Sequence, residues 1–141
     1  MLDAKLTVTP TLKLWKWELQ NRGKSESEID AFTAVAVSQV KTYHKAGGKI
    51  MFGTDIGYMS DTNPLDEYVY LQKAGLRFRD ILATLTTVPS EKFGYANEYG
   101  TLRKGMKANI VAFSGDPETD IKALINVRYS IKEGEIIYQQ K

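Results

Sequence analysis

The sequence predicts an α/β fold in which parallel β/α structure comes first and antiparallel strands come last. Up to Tyr99, short β-rich runs alternate with segments of helical periodicity, as in sheets whose parallel strands are joined by helices. From Gly100 onward, glycines recur between short β-rich pieces. The apolar fraction of 43% and the charged fraction of 26% are those of a folded globular protein. We therefore expect one unit over residues 1–99 and a β-rich unit over residues 100–141.

The first predicted element is a short strand that ends before Pro10. Leu6 and Val8 alternate with threonines, which is typical of a β-strand, and proline cannot donate a hydrogen bond to a neighbouring strand. Residues 12–19 are short, apolar and rich in tryptophan, and a break at residues 21–23 follows. This segment predicts either a brief helix or an ordered loop.

A longer helix is predicted after Ser25. Ser25 and Glu28 have the spacing of a capping box, and apolar residues then recur at helical spacing as far as the glycine pair at 47–48. His44 is the only histidine in the chain and falls in the last turn of this helix. Positive charge is favoured at that end, so we interpret His44 as a structural or surface residue rather than a metal ligand.

The second strand is predicted at residues 49–53, and it places Asp55 just beyond its carboxyl end. In parallel β/α folds, the loops at this end of the strands form the ligand-binding face. Gly53 and Gly57 allow a sharp turn, and an aspartate there can bind a divalent cation or accept a proton from water. Aspartate is also common as a plain loop or helix cap. The spacing alone leaves both interpretations of Asp55 open.

Local signals predict the remaining elements. Asp61 is expected to cap a turn before Pro64, and Asp66 to lie in the first turn of the helix that follows. Lys132-Glu133-Gly134 predicts a hairpin turn. The other predicted elements are, in chain order, a helix over 65–74, a helix over 76–88, a helical turn over 89–93, a strand over 109–113, a short helix over 121–125, and strands over 127–131 and 135–138.

Composition excludes several classes of partner and site. The net charge of +2 is spread along the chain without a basic block, which argues against nucleic acid as a partner. The chain has no cysteine, which excludes disulfides and thiolate metal sites. No apolar run approaches the ~18 residues of a membrane span, and the amino terminus lacks the pattern of a signal peptide. We therefore predict a cytoplasmic protein without a membrane partner.

Three segments resemble, in the same order, the C-terminal part of the metal-dependent amidohydrolase superfamily, in particular its imidazolonepropionase-like and prolidase-like branch. These segments are GGKIMFGTDIG, ILATLTTVPSEKFG and YGTLRKGMKANIVAFSGDP. The chain departs from the pattern at Ser90 and Asn109, where alanine and aspartate are usual. The resemblance implies that residues 1–99 are the C-terminal part of a (β/α)8 TIM-type barrel, about strands seven and eight with the following helices. Residues 100–141 would be the C-terminal strands of a small β-sandwich.

The same resemblance implies an activity. The parent protein would be a metal-dependent hydrolase of amide, cyclic amide or peptide C–N bonds, acting on a small-molecule amide or peptide through a metal-activated water. Asp55 would be the aspartate of strand eight, which ligates the metal or takes the proton of that water. Tyr58 and Met59 directly follow Gly57 and are the candidate substrate-binding residues.

The implied cofactor is a divalent metal, zinc by preference, with one or two ions per complete site. A hydrolytic zinc needs about three protein ligands, and the family's other ligands lie on strands that precede this chain. The resemblance therefore implies the last quarter to third of a larger enzyme, inactive in isolation. Two parallel strands leave unpaired edges, so we expect self-association or association with the missing N-terminal part. The competing hypothesis is a non-catalytic assembly or interaction module in which Asp55 is a loop cap.

Overall fold

The computed structural model describes residues 6–141 and shows a mixed α/β fold, as the sequence predicts. The first five residues of the predicted unit 1–99 lie outside the described residues, and the division at residue 99 stays a prediction. The elements are, in chain order, β1 (Thr7–Val8), α1 (Leu12–Asn21), α2 (Glu26–Lys45), β2 (Lys49–Ile50), α3 (Leu65–Lys73), α4 (Phe78–Leu85), α5 (Thr87–Lys92), β3 (Ile110–Phe113), a 3-10 helix (Ile121–Ile125), β4 (Val127–Lys132) and β5 (Glu135–Gln139).

Strands β1 and β2 form a parallel pair, and the connection between them contains α1 and α2. Val8 lies opposite Ile50, and the Met51 N–H extends the ladder by donating to the Val8 carbonyl at 2.9 Å. The second strand is shorter than the predicted 49–53. Beyond this ladder the N–H of Phe52 points away from β1 and donates to the carbonyl of Thr84, at the end of α4, at 3.0 Å.

Helices α1 and α2 follow the sequence closely. Residues 12–21 form a helix, which decides between the helix and the ordered loop. Helix α2 begins with a complete capping box: the Glu28 N–H donates to Ser25 Oγ at 3.4 Å, and the Ser25 N–H donates to the Glu28 carboxylate at 2.9 Å. Two of the free N–H groups at the start of α2 are thereby satisfied.

The predicted helix over 76–88 is wrong as a single helix, because the structure divides it at Thr86. Thr86 has φ −130° and ψ −80°, and it separates α4 from α5. Pro89 is the physical reason: its ring would clash with the carbonyl of Leu85 in a continuous helix, and it has no N–H to donate there. In the structure Pro89 lies in the first turn of α5, where the missing N–H costs nothing.

The last part of the chain forms a three-stranded antiparallel sheet in the order β3-β4-β5. Glu133 and Gly134 both have positive φ, 52° and 91°, which is the geometry of a two-residue hairpin turn between β4 and β5. The predicted hairpin is therefore confirmed. All five residues of β5 are exposed.

One hydrophobic core joins the helices to the β-rich end of the chain. It contains Leu12, Val40, Ile50, Leu71, Ile81, Ile121 and Leu124, among others. Because the 3-10 helix contributes two of these residues, the β-rich end is packed against the same core that supports β2. Within residues 6–141, no helix has the length and apolar character needed to cross a bilayer.

Candidate functional site

Asp55 lies in the loop beyond the carboxyl end of β2, as the sequence predicts. Its backbone has φ 54°, in the left-handed region, and its carbonyl accepts hydrogen bonds from the N–H groups of Tyr58 at 3.1 Å and Met59 at 3.3 Å. The residue is exposed. Within residues 6–141 its carboxylate makes no hydrogen bond or salt bridge of its own. The turn therefore uses the backbone of Asp55 and leaves its carboxylate available to a cation or a water.

The loops after β1 and β2 lie directly against each other. A Cβ built on Gly53 would clash with the methyl group of Thr9, so only glycine allows this approach. Thr11, in the loop after β1, has φ 47°, which is uncommon for a β-branched residue. Each of the two loops thus carries a non-glycine residue in the left-handed region, a strain of about 1–3 kcal/mol per residue that surrounding contacts must maintain.

The candidate substrate-binding residues occupy different environments. Tyr58 is 69% exposed, and its hydroxyl donates to Glu18 Oε1 at 2.7 Å. That hydrogen bond to a carboxylate raises the pKa of Tyr58 above its usual value. Met59 is buried. Tyr58 is accordingly the one with a surface for a substrate, and the binding roles of both residues stay predictions.

Sequence reasoning missed Glu67, a fully buried glutamate in the first turn of α3. Its Oε2 accepts the backbone N–H of Lys13 at 2.7 Å. Burial raises the pKa of Glu67 to about 7; the N–H groups of Lys13 and Leu12 oppose this increase, and the negative charge of Asp55 adds to it. One signal was present in the sequence: Glu67 lies four residues before Leu71, so both share the buried face of the helix.

Sequence reasoning also missed Lys13, whose buried side chain holds the segment that enters α3. Its Nζ donates to the carbonyls of Asp61 at 2.8 Å and Asn63 at 2.6 Å, and lies 2.9 Å from Asp61 Oδ2. Asp61 Oδ1 in turn accepts the Asn63 N–H at 2.9 Å, which is the cap expected before Pro64. Lys13 therefore ties α1 to the end of the loop that contains Asp55.

The described residues do not by themselves form a metal site. Within residues 6–141, no three His, Cys, Asp or Glu side chains are gathered closely enough to hold an ion. His44 lies at the end of α2, with Nε2 4.0 Å from Asp80 Oδ2. An exposed strand-end carboxylate without a protein partner suits one metal ligand, and the further ligands of such a site would come from outside the described residues.

The described residues also form an apolar groove of about 650 Å³. It runs between β1, α1 and α2, and its lining includes Val8, Leu12, Trp15, Val40 and Tyr43. Asp55 and Tyr58 do not line it.

Solved structures that share this fold include the following three. A Xaa-Pro dipeptidase with methionine bound in its active site aligns with a TM-score of 0.85 and 22% identity over 99% of this chain and 36% of that chain. An ochratoxinase from A. niger aligns with a TM-score of 0.74 and 21% identity over 95% and 32%. A prolidase complexed with N-methylphosphonate-L-proline aligns with a TM-score of 0.67 and 18% identity over 95% and 35%. The chain thus spans about a third of the length of each.

The family assignment comes from the sequence itself. No match is found among curated protein sequences. The amidohydrolase family profile matches residues 24–137, which is well over half of the 141 residues. This match confirms the resemblance seen in the three segments, and the neighbouring structures agree with it. The chain belongs to the amidohydrolase family.

Proposed function

We propose that this chain supplies the strand-eight end of a (β/α)8 barrel in a metal-dependent hydrolase of amide-type C–N bonds. The observation that carries the proposal is the position of Asp55: an exposed carboxylate without a protein partner in residues 6–141, just beyond a parallel strand. Catalytic groups of β/α barrels lie at this end of the strands. The family match supports the hydrolytic class of reaction.

In this proposal β1 and β2 are strands seven and eight, and β3, β4 and β5 are the closing strands of a small sandwich. The surface of β5 supports it, since Ile136 is 59% and Ile137 is 65% exposed although they point to opposite faces of the strand. A strand that is apolar and exposed on both faces needs a covering layer. We assign this layer to further polypeptide, either another copy of the chain or the preceding part of the barrel.

The proposed cofactor is a divalent metal, zinc by preference, with one or two ions in the complete site. When bound, such an ion polarises a carbonyl and lowers the pKa of water to near neutrality. Asp55 would provide one carboxylate oxygen to the ion, or accept a proton from the attacking water and return it to the leaving amine. Asp55 does not need to break a hydrogen bond within residues 6–141 to take either role.

The proposed substrate is a small amide or peptide. Two of the neighbouring structures are named as a Xaa-Pro dipeptidase and a prolidase, which makes a dipeptide ending in proline the first substrate to test. Tyr58 would contact it from the loop after β2, with its hydroxyl already oriented by Glu18.

The test is Asp55→Asn in the assembled protein, with Asp66→Asn as the matched control. Asp66 is a nearby acid that pairs with Lys16 at 2.8 Å. We expect Asp55→Asn to lower kcat/KM about 10²–10⁴-fold with an unchanged circular dichroism spectrum, and Asp66→Asn to retain activity. Hydrolysis of Xaa-Pro dipeptides, N-acyl amino acids and cyclic amides would be measured together with metal content.

The competing function is an assembly module, which the exposed faces of β5 favour. It makes the opposite prediction for the same experiment. A metal-free assembly in which Asp55→Asn changes neither association nor any activity would overturn the hydrolase proposal and support the assembly module.

A further inference from the structure

We propose that Glu67 and Lys13 are positioning residues that form a reciprocal clamp, meaning hydrogen bonds in both directions between the start of α1 and the start of α3. The clamp holds the loop after β1 against the loop after β2, which carries Asp55. The inference rests on the proposed function, because Asp55 is the group that the clamp positions. It concerns two buried charged side chains, 0% and 1% exposed, that touch neither substrate nor metal in the role given to them.

The first half of the clamp is a helix cap supplied from a distant part of the chain. Helix α1 has no acid in its first turn, and its N-cap residue, Thr11, makes no capping hydrogen bond with its side chain. Glu67 takes that place from 54 residues away by accepting the Lys13 N–H. A carboxylate is the favoured partner for the free N–H groups at a helix N-terminus.

The second half runs in the opposite direction. The Lys13 ammonium donates to the carbonyls of Asp61 and Asn63, at the point where the loop after β2 enters α3. The same residue of α1 therefore gives its N–H to α3 and its side chain to the segment before α3. Neither helix can shift relative to the other without breaking both sets of hydrogen bonds.

The clamp closes a ring around Asp55. At one end of the two loops, β1 and β2 are joined by their ladder, and Gly53 packs against Thr9 just beyond it. At the other end, Glu67 and Lys13 join α1 to α3. Asp55 lies between these two anchors in a left-handed conformation that it would not hold unaided. A reacting carboxylate needs this kind of support to stay within productive geometry.

Glu67 keeps one feature that packing alone does not explain. Its Oε1 is buried and has no hydrogen-bond partner within residues 6–141. Most buried polar atoms are paired, and an apolar residue of the same length would fill this space without an unpaired oxygen. The other oxygen, Oε2, is the one that caps α1. The clamp therefore accounts for a carboxyl group at this buried position.

The first test needs no activity and uses the 141-residue chain. Glu67→Met fills the same space without an acceptor, Glu67→Gln keeps an acceptor, and Asp66→Asn removes a charge from the same turn of α3. We expect Glu67→Met to raise amide hydrogen exchange at Leu12 and Lys13 roughly five- to tenfold, the size expected for losing one typical hydrogen bond. Glu67→Gln and Asp66→Asn should keep most of the protection.

The second test is kinetic and uses the assembled protein with the dipeptide substrate. Glu67→Met should lower kcat more than it changes KM, because the carboxylate at residue 55 is displaced while the binding surfaces remain, and Glu67→Gln should restore most of kcat. A residue needed only for packing would show neither this split nor this rescue.

Two outcomes would overturn the clamp. One is unchanged exchange at Leu12 and Lys13 in folded Glu67→Met. If Glu67→Met does not fold, Lys13→Met is measured in its place. Unchanged amide exchange over residues 61–63 in Lys13→Met would then be the second outcome that overturns the clamp. If the unaltered protein hydrolyses no substrate, the proposed function is overturned. The hydrogen-exchange experiment does not depend on activity and still tests the clamp.

Discussion

At the scale of single residues, the acids near the end of β2 are distinguished by their surroundings. Asp55 is exposed, whereas Glu67 is fully buried and has a pKa of about 7. Burial is the main cause, and the N–H groups of α1 that stabilise the anion only partly oppose it. A carboxyl group with such a pKa is protonated in part of the chains at neutral pH.

This shift makes folding stability depend on pH. The pKa of Glu67 is raised from 4.5 to about 7 on folding, so between these values the folded chain holds a proton that the unfolded chain has lost. Stability from this group is fully present below pH 4.5 and falls as pH rises, by up to about 1.4 kcal/mol per pH unit, until pH 7 is passed. Glu67→Gln should remove this component, as measured by urea unfolding inside and on either side of the window.

The control for that prediction is Glu26→Gln, which removes an exposed glutamate from the first turn of α2. Its slope of stability against pH should match that of the unaltered chain within the window. An unchanged slope in Glu67→Gln would show that Glu67 does not carry the shift.

A second residue-scale prediction concerns Gly53. It does not have positive φ, so alanine meets no backbone strain there, and the cost is the clash with the Thr9 methyl group. We expect Gly53→Ala to destabilise the chain by about 1–3 kcal/mol, the usual cost of overpacking, measured by urea unfolding. The double variant Gly53→Ala, Thr9→Ser removes that methyl group and should recover most of the loss. A fully stable Gly53→Ala would mean that the two loops are not in contact.

The position of Asp55 could be predicted because its signal is local. An apolar run that stops at a glycine, followed at once by an acid, is enough to place a carboxylate beyond a strand. The contact between Glu67 and Lys13 spans 54 residues, and nothing near either residue names its partner. Helical periodicity shows that Glu67 faces the core but not that it caps α1.

At the scale of elements, features set by neighbouring residues could again be predicted, and features that depend on more distant residues could not. The capping box of α2 and the hairpin turn between β4 and β5 are set by residues within four positions of each other, and both were predicted. The end of β2 and the break at Thr86 were not. Past the end of β2, Phe52 bonds to the distant Thr84 instead of to a strand, and the break at Thr86 reflects the effect of Pro89 four residues back along the helix.

The capping box supplies the element-scale prediction. Ser25→Ala removes the side chain that accepts the Glu28 N–H, so the start of α2 loses one of its satisfied groups. The expected loss of stability is about 1 kcal/mol, visible as a lower urea midpoint with an unchanged slope. Ser25→Thr keeps the hydroxyl, and its stability should lie within a few tenths of a kcal/mol of that of the unaltered chain. Equal midpoints for Ser25→Ala and the unaltered chain would contradict a role for this cap.

At the scale of the whole molecule, the described residues fold around one core yet leave apolar surfaces exposed to solvent. These surfaces are the apolar groove between β1, α1 and α2 and the exposed faces of β5. Each of the three matched structures is about three times as long as the stretch that aligns with this chain. The family resemblance had led to the expectation of a partner, because two parallel strands leave unpaired edges.

We therefore predict that the 141-residue chain, when purified alone, associates with itself in solution. Light scattering at micromolar concentration should give a mass above that of one 15.9 kDa chain. Ile137→Lys adds charge to an exposed apolar face of β5 and should lower that mass, whereas Thr101→Lys on an exposed loop should not. A well-behaved monomer under these conditions would contradict the prediction.

The hydrogen bond from Phe52 to Thr84 limits how any such partner can join β2. Successive amides of a strand point to opposite edges, and the Met51 amide already faces β1, so that of Phe52 faces the outer edge. Because α4 occupies this amide, an incoming strand can continue pairing along that edge only as far as residue 50. The loop that carries Asp55 therefore lies beyond the part of β2 that could pair with a further strand, and we expect such pairing to leave the conformation of this loop unchanged.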